Sequence, residues 1–160
     1  MARLLVVSGV MMNKEEAALI LAARHKDIGA SVQQQRGHSN GSFTGASVGF
    51  LMKLHKTREA SCAIDDMQGL TPAKVRDVMR QFGDVVEESV EQGTFAAVVG
   101  AGFANMNPAL VSVTIEGDGI HMTAYAKEGL VNQHTAESAL SRVSAELDIM
   151  RRMRHEEPMS

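Results

Sequence analysis

The sequence is poor in the residues that build disulfides and zinc sites. Its 160 residues include one cysteine, Cys62, and no tryptophan. A single cysteine excludes an internal disulfide and any zinc site made from a cysteine pair. A chain that needs no disulfide is typical of a reducing compartment, so we expect the protein in the cytoplasm. A lone thiol is usually buried and inert, which favours a packing role for Cys62 over a nucleophilic one.

Aromatic side chains and excess positive charge are also lacking. Aromatic residues make up 4% of the chain, and the formal net charge is -3. Proteins that bind single-stranded nucleic acid use stacked aromatic side chains and a cationic groove, so we expect no nucleic-acid partner. No apolar run approaches the roughly 18 residues that a membrane-spanning helix needs, so we expect no membrane partner either.

The remaining composition is that of a globular protein. Hydrophobic residues make up 44% of the chain and charged residues 22%, and a chain of this length can bury one proper core. We find no linker, repeat or low-complexity tract. The sequence therefore predicts a single domain over residues 1–150, followed by a charged and frayed tail over residues 151–160.

The first half of the chain alternates apolar runs with helix signals. The run over residues 4–10 is typical of a strand buried on both faces. Asn13 is a suitable N-cap with Glu16 in the capping-box position, and Gly29 is a suitable C-cap for a helix that ends near Lys26. Residues 30–35 then predict a second strand. Because helices join these strands, we expect them to be parallel neighbours.

The second half gives clearer signals. Thr71 followed by proline predicts the start of a helix, and apolar residues at helical spacing extend it towards Gly93. Residues 59–69 before it read as a loop or a short strand, and residues 95–100 as a buried strand. From residue 110 the apolar period becomes two, and Gly117-Asp118 predicts a two-residue hairpin turn. One face of that hairpin should carry a set of mostly polar side chains: Ser112, Thr114, His121, Thr123 and Tyr125.

A last helix is predicted from about Thr135. Its apolar residues have nearly heptad spacing, which suits packing against another helix or a second subunit. Taken together, the patterns predict an α/β or α+β protein with about four helices. About five strands should form a mixed sheet that ends in a C-terminal antiparallel hairpin.

The most unusual stretch is residues 37–49, where glycine recurs every four residues, at positions 37, 41, 45 and 49. If a helix begins near Ser39 or Asn40, three of these glycines form a stripe without side chains on one helix face. Such a stripe allows close approach of a neighbouring helix, strand or subunit. The free amides at the start of that helix would also favour an anion.

These patterns define a candidate ligand site. In parallel sheets, ligands bind beyond the carboxyl ends of the strands, where loops converge. That arrangement would assemble one histidine and several neutral polar groups, which suit a small polar or anionic ligand. The candidate catalytic residue is His38, and the candidate ligand-binding residues are Ser8, Asn13, Ser39, Asn40, Gly41, Ser42 and Asn105.

The motifs that would specify a reaction are missing. The glycine stretch lacks the Gly-Lys-Ser/Thr of a P-loop and the spacing of a dinucleotide fingerprint. No Gly-x-Ser-x-Gly elbow occurs, and no two histidines have a metal-binding spacing. The sequence therefore predicts no local metal site. It leaves open a metal site assembled from distant residues, the cofactor and the reaction type.

Two functional hypotheses follow. In the first, the protein binds a small molecule at the glycine stretch and the strand ends, as an enzyme or as a ligand sensor. In the second, it is a non-enzymatic oligomeric scaffold or regulator whose subunits meet along the glycine stripe and the last helix. We prefer the first, and a homo-oligomer is expected in either.

Overall fold

The computed structural model describes residues 12–35, 56–101, 107–129 and 133–153. These ranges contain three helices and five strands. In chain order they are α1 (Lys14–Gln35), β1 (Lys56–Ile64), α2 (Pro72–Phe82), β2 (Gly83–Ser89), β3 (Thr94–Ala101), β4 (Asn107–Glu116), β5 (Gly119–Glu128) and α3 (Thr135–Met153).

The five strands form one sheet in the order β1-β5-β4-β3-β2. Every neighbouring pair is antiparallel, so the fold is α+β and the predicted mixed sheet is wrong. The predicted count of five strands matches, although its members differ. The predicted strand over residues 4–10 lies outside the described residues, and the described ranges contain three helices rather than about four.

The predicted strand over residues 30–35 is helical, because α1 continues through Gly29 to Gln35. One glycine inside a helix costs only about 1 kcal/mol relative to alanine. The alanine-rich residues before it and the three glutamines after it are good helix formers, and they offset that cost. Without this strand, the predicted parallel pair is lost.

The predicted long helix after Thr71 is also shorter than expected. Its start is confirmed, since the Thr71 hydroxyl accepts a hydrogen bond from the Lys74 amide at 3.3 Å. However, α2 ends at Phe82, and the valines that follow lie in β2. At the boundary, a β-carbon on Gly83 would lie 2.3 Å from the Val98 carbonyl oxygen. Because glycine has no β-carbon, the backbone of β2 can lie this close to β3, where any side chain would collide with the carbonyl oxygen.

Replacing Gly83 with alanine is expected to lower the free energy of unfolding by about 1–3 kcal/mol, because β2 and β3 must separate to admit the methyl group. Chemical denaturation of the variant measures this loss. Gly119→Ala is the matched control, since a β-carbon there would approach no atom closer than 3.3 Å. Equal losses in the two variants would contradict the close approach at Gly83.

One face of the sheet is covered by α2 and α3. The apolar stripe of α3 packs inward, so the predicted stripe is confirmed, although it faces the sheet of its own chain. The helix also continues to Met153, beyond the predicted start of the tail. The fully buried side chains of this layer include Val75, Val78, Met79, Phe95, Val111, Val113, Ile120, Met122, Val143 and Leu147.

The opposite face is partly covered by α1. Ala17 and Leu21 are fully buried there in a small cluster with Val98, Leu110 and other sheet residues. The Tyr125 hydroxyl donates a hydrogen bond to the Met12 carbonyl at 3.2 Å, and Arg24 forms an ion pair with Asp84. None of the helices in the described ranges is long and apolar enough to cross a membrane.

Candidate functional site

One end of the sheet carries described residues that lie next to segments 36–55, 102–106 and 130–132. Lys56, the first residue of β1, is opposite Glu128, and Ala101 is opposite Asn107. Continuing the β4–β5 register beyond the Ala109–Ala126 pair places Asn107 beside Glu128. With strands about 4.8 Å apart, Lys56 and Asn107 are separated by about 10 Å. We call this end of the sheet the Lys56 end.

The contacts of α1 lie at one level of the sheet. The Tyr125 hydroxyl of β5 bonds the chain just before α1, and further along the helix Arg24 contacts Asp84 of β2. The strand register puts Tyr125 and Asp84 at the same level along the strands, so α1 crosses the sheet from β5 towards β2. Of the two residues that flank segment 36–55, Lys56 is the one at the Lys56 end.

The buried carboxylate of Glu128 accepts the hydrogen bonds that join the sheet to α3 at this end. Glu128 is 2% exposed and occupies the last position of β5. Its Oε1 atom accepts a hydrogen bond from the Thr135 amide at 2.7 Å, and its Oε2 atom accepts one from the Gln133 amide at 3.1 Å. The first residue of α3 is Thr135, so the negative charge lies at the positive end of the helix dipole. Glu128 therefore fixes the start of α3 against the sheet.

A cation lies beside this carboxylate without bonding it closely. The Nε atom of Arg58 is 3.9 Å from Glu128 Oε2, and the Arg58 side chain is 42% exposed. That distance is an ion pair but exceeds the range of a hydrogen bond. Lys56 is two residues earlier on the same face of β1 and is exposed. The Asn107 amide group donates to the Gln133 side-chain oxygen and ties β4 to the same cluster.

Most of the predicted site residues lie outside the described residues. These are Ser8, His38, Ser39, Asn40, Gly41, Ser42 and Asn105. The exception is Asn13, which caps α1 as predicted: its Oδ1 atom accepts hydrogen bonds from the amides of Glu15 and Glu16 at 3.0 and 2.9 Å. The Asn13 amide in turn donates to Glu16 Oε2 at 3.2 Å, which completes the capping box. Asn13 is thus at the opposite end of α1 from Gln35.

The predicted polar sheet face is confirmed by the strand register. Ser112 is opposite Thr123, and Thr114 is opposite His121. On the other side of β5, Thr123 is opposite Ser61. These side chains lie on the α1 face of the sheet, towards the Gly117 turn. No lysine or arginine occupies these paired positions, so this surface offers hydroxyl groups without a cation to hold an anion.

The surroundings of Cys62 do not favour a nucleophilic role. Burial raises the pKa of the Cys62 thiol, although a hydrogen bond with Ser144 partly opposes that effect. The nearby Asp148 carboxylate raises the same pKa further. A thiol in this state is a poor nucleophile, which agrees with the predicted packing role. Across the described part of the chain, no group of three or more histidine, cysteine, aspartate or glutamate side chains could hold a metal ion.

The sequence interpretation missed the cluster around Glu128. Arg58, which lies in β1, was not among the predicted site residues. A signal for Glu128 was present in the alternation of β5. Ile120, Met122 and other even-numbered residues of that strand face the core, and Glu128 occupies the next inward position. An acidic residue at a core-facing position usually has a specific partner.

Comparison of the chain with family models, with curated proteins and with solved structures found no match.

Proposed function

We propose that the protein binds a small polar or anionic ligand at the Lys56 end of the sheet. The observation that supports this proposal is the position of the described flanks of two segments. The segment with the glycine stretch is flanked by Gln35 and Lys56, and the segment with Asn105 is flanked by Ala101 and Asn107. Three of these four residues, Lys56, Ala101 and Asn107, lie at this one end.

The chemistry of the two segments suits such a ligand. His38, Ser39, Asn40 and Ser42 supply an imidazole, hydroxyl groups and an amide, and Asn105 supplies a second amide. Glycines at 37 and 41 allow a ligand to approach the backbone amides closely. The Asn13 side chain is engaged in the α1 cap, so the proposal rests on the other residues. If the ligand is turned over, His38 is the expected acid or base.

A thermal-melting screen with inorganic phosphate and small carboxylates tests this proposal. A ligand at 100 times its Kd stabilises the folded state by about 2.7 kcal/mol, which raises the melting temperature by several degrees. We expect the double substitution of His38→Ala with Asn40→Ala to abolish that rise. Ser112→Ala with Thr123→Ala, on the polar sheet face, is the matched control and should retain it. Stabilisation that survives the first pair of substitutions would contradict the proposal.

The alternative proposal is a homo-oligomeric scaffold. Leu19 supports it, because this side chain is 73% exposed on the outer side of α1. The apolar stripe of α3 gives less support, since it already packs inside the chain. Light scattering decides this point: an oligomer that dissociates in Leu19→Glu supports a subunit contact at α1. A monomer at all concentrations would rule the scaffold out.

A further inference from the structure

Two buried polar atoms beside Glu128 have unused hydrogen-bonding capacity. The Nε atom of Arg58 and the hydroxyl oxygen of Thr135 are both inaccessible to solvent and have no hydrogen-bond partner among the described residues. Arg58 Nε is 3.9 Å from Glu128 Oε2, and the Thr135 amide is 2.7 Å from Glu128 Oε1. Both residues therefore contact the same carboxylate. A buried group without a partner usually marks the place of a water molecule, an ion or a ligand.

Glu128 does not meet this need in the observed geometry. Its nearer oxygen, Oε2, lies 3.9 Å from the Arg58 Nε atom and accepts a hydrogen bond from the Gln133 amide instead. Within the described residues, the Arg58 Nε atom therefore lacks an acceptor.

The surrounding charges indicate which acceptor suits the position. The Arg58 side chain is 42% exposed, so its guanidinium extends from the buried cluster to the surface. Lys56, on the same face of β1, adds a second positive charge about 7 Å along the strand. A guanidinium presents a planar fork of donors that matches a carboxylate or phosphate group. Thr135, whose amide contacts the same carboxylate, carries a hydroxyl donor that is also buried without a partner in the described part of the chain.

We infer that Arg58 is the anchor for an oxyanion, a carboxylate or a phosphate, with Thr135 as a second donor. This inference rests on the proposed function, since it identifies the anionic group of the ligand expected at the Lys56 end. It assigns to Arg58 a binding role that its ion pair with Glu128 alone does not explain.

NMR detection of the arginine Nε–H signals tests the inference directly. Inorganic phosphate and acetate are titrated separately into the labelled full-length protein. We expect the Arg58 signal to shift in a saturable manner with at least one of them, while the Arg152 signal, from an exposed arginine paired with Asp148, does not. An Arg58 signal that stays unchanged to 20 mM of both anions would mean that water alone fills the position, and it would overturn the inference.

Substitutions then distinguish binding by the planar guanidinium donors of Arg58 from binding by its positive charge alone. Arg58→Lys keeps a cation but loses the planar donors, so we expect binding of the effective anion to weaken at least tenfold. Arg152→Lys should leave it unchanged. A melting curve of Arg58→Lys without added anion confirms that the variant is folded. Equal affinity in Arg58→Lys and the parent protein would contradict recognition by the guanidinium.

The two proposals fail in different ways. If the His38→Ala, Asn40→Ala variant loses ligand stabilisation while the Arg58 signal never moves, the proposed function stands and the oxyanion anchor is wrong. If the Arg58 signal shifts normally in that variant, the anchor stands and the contribution of the glycine stretch is wrong.

Discussion

Replacing Glu128 with alanine is expected to lower the free energy of unfolding by about 2–4 kcal/mol, because two backbone amides lose a charged acceptor. The substitution leaves the amides of Gln133 and Thr135 without their acceptor. It also leaves the buried Nε atom of Arg58 without its neighbouring negative charge. Because the carboxylate is 2% exposed, water would have to enter the cluster to replace it.

Chemical denaturation measures this loss of stability, which is then compared with the losses in two further variants. Glu128→Gln keeps the shape of the side chain but presents a donor to one of the two amides, so we expect an intermediate loss. Glu137→Ala is the control, because Glu137 also lies in the first turn of α3 but its side chain is 48% exposed. Its loss should stay below about 1 kcal/mol, the usual value of an exposed ion pair. Similar losses at the two positions would contradict the role given to Glu128.

Truncating Leu147 to alanine is expected to cost about 2–5 kcal/mol, because the change leaves a cavity in a close-packed core. Leu147 is fully buried between α3 and the sheet, among Val143, Met122 and neighbouring side chains. Ile149, two residues later on the same helix, is 47% exposed and serves as the control. Its replacement with alanine should cost about 1 kcal/mol or less.

The comparison of these two variants tests which side of α3 faces the core. Denaturation at two protein concentrations adds a check on subunit contacts, since only an oligomer shows stability that depends on concentration. If Ile149→Ala were the more damaging change, the inward stripe of α3 would be wrong. The alternative prediction, that α3 packs against a second subunit, would then be favoured.

The parts of the fold that could be predicted are those with a strong local signal. The hairpin around Gly117 was predicted with its turn and with the side chains on each face, because a period of two and a two-residue turn are both local features. The α3 helix and the cap at Asn13 were predicted for the same reason. In each case, residues within one or two turns of the chain determine the structure.

The parts that were wrong depend on contacts between distant residues. The valines of β2 have spacings that fit a helix, and only pairing with β3 makes them a strand. Gly83 was not recognised as a boundary, because the atom it must avoid, the Val98 carbonyl oxygen, is fifteen positions away in sequence. The prediction of a mixed sheet was wrong because residues 30–35 are helical. The expected parallel pairing depended on a strand at those residues.

For the site, the sequence indicated segments but could not indicate their surroundings. The glycine stretch and Asn105 were selected on composition, and only the strand pairing shows that Lys56, Ala101 and Asn107, which flank them, lie at one end of the sheet. Arg58 and Glu128 are seventy residues apart in the chain, and they meet because β1 pairs with β5. A pairing between strands so distant in sequence gives no local pattern to recognise.

The most direct test of the account is a map of backbone amide shifts on addition of the anion that stabilises the protein most. We predict that the largest changes occur at the Lys56 end, at Arg58, Asn107, Gly129 and Gln133. Changes concentrated instead at the opposite turns, around Gly93 and Gly117, or no change at saturating anion, would contradict a ligand site at that end of the sheet.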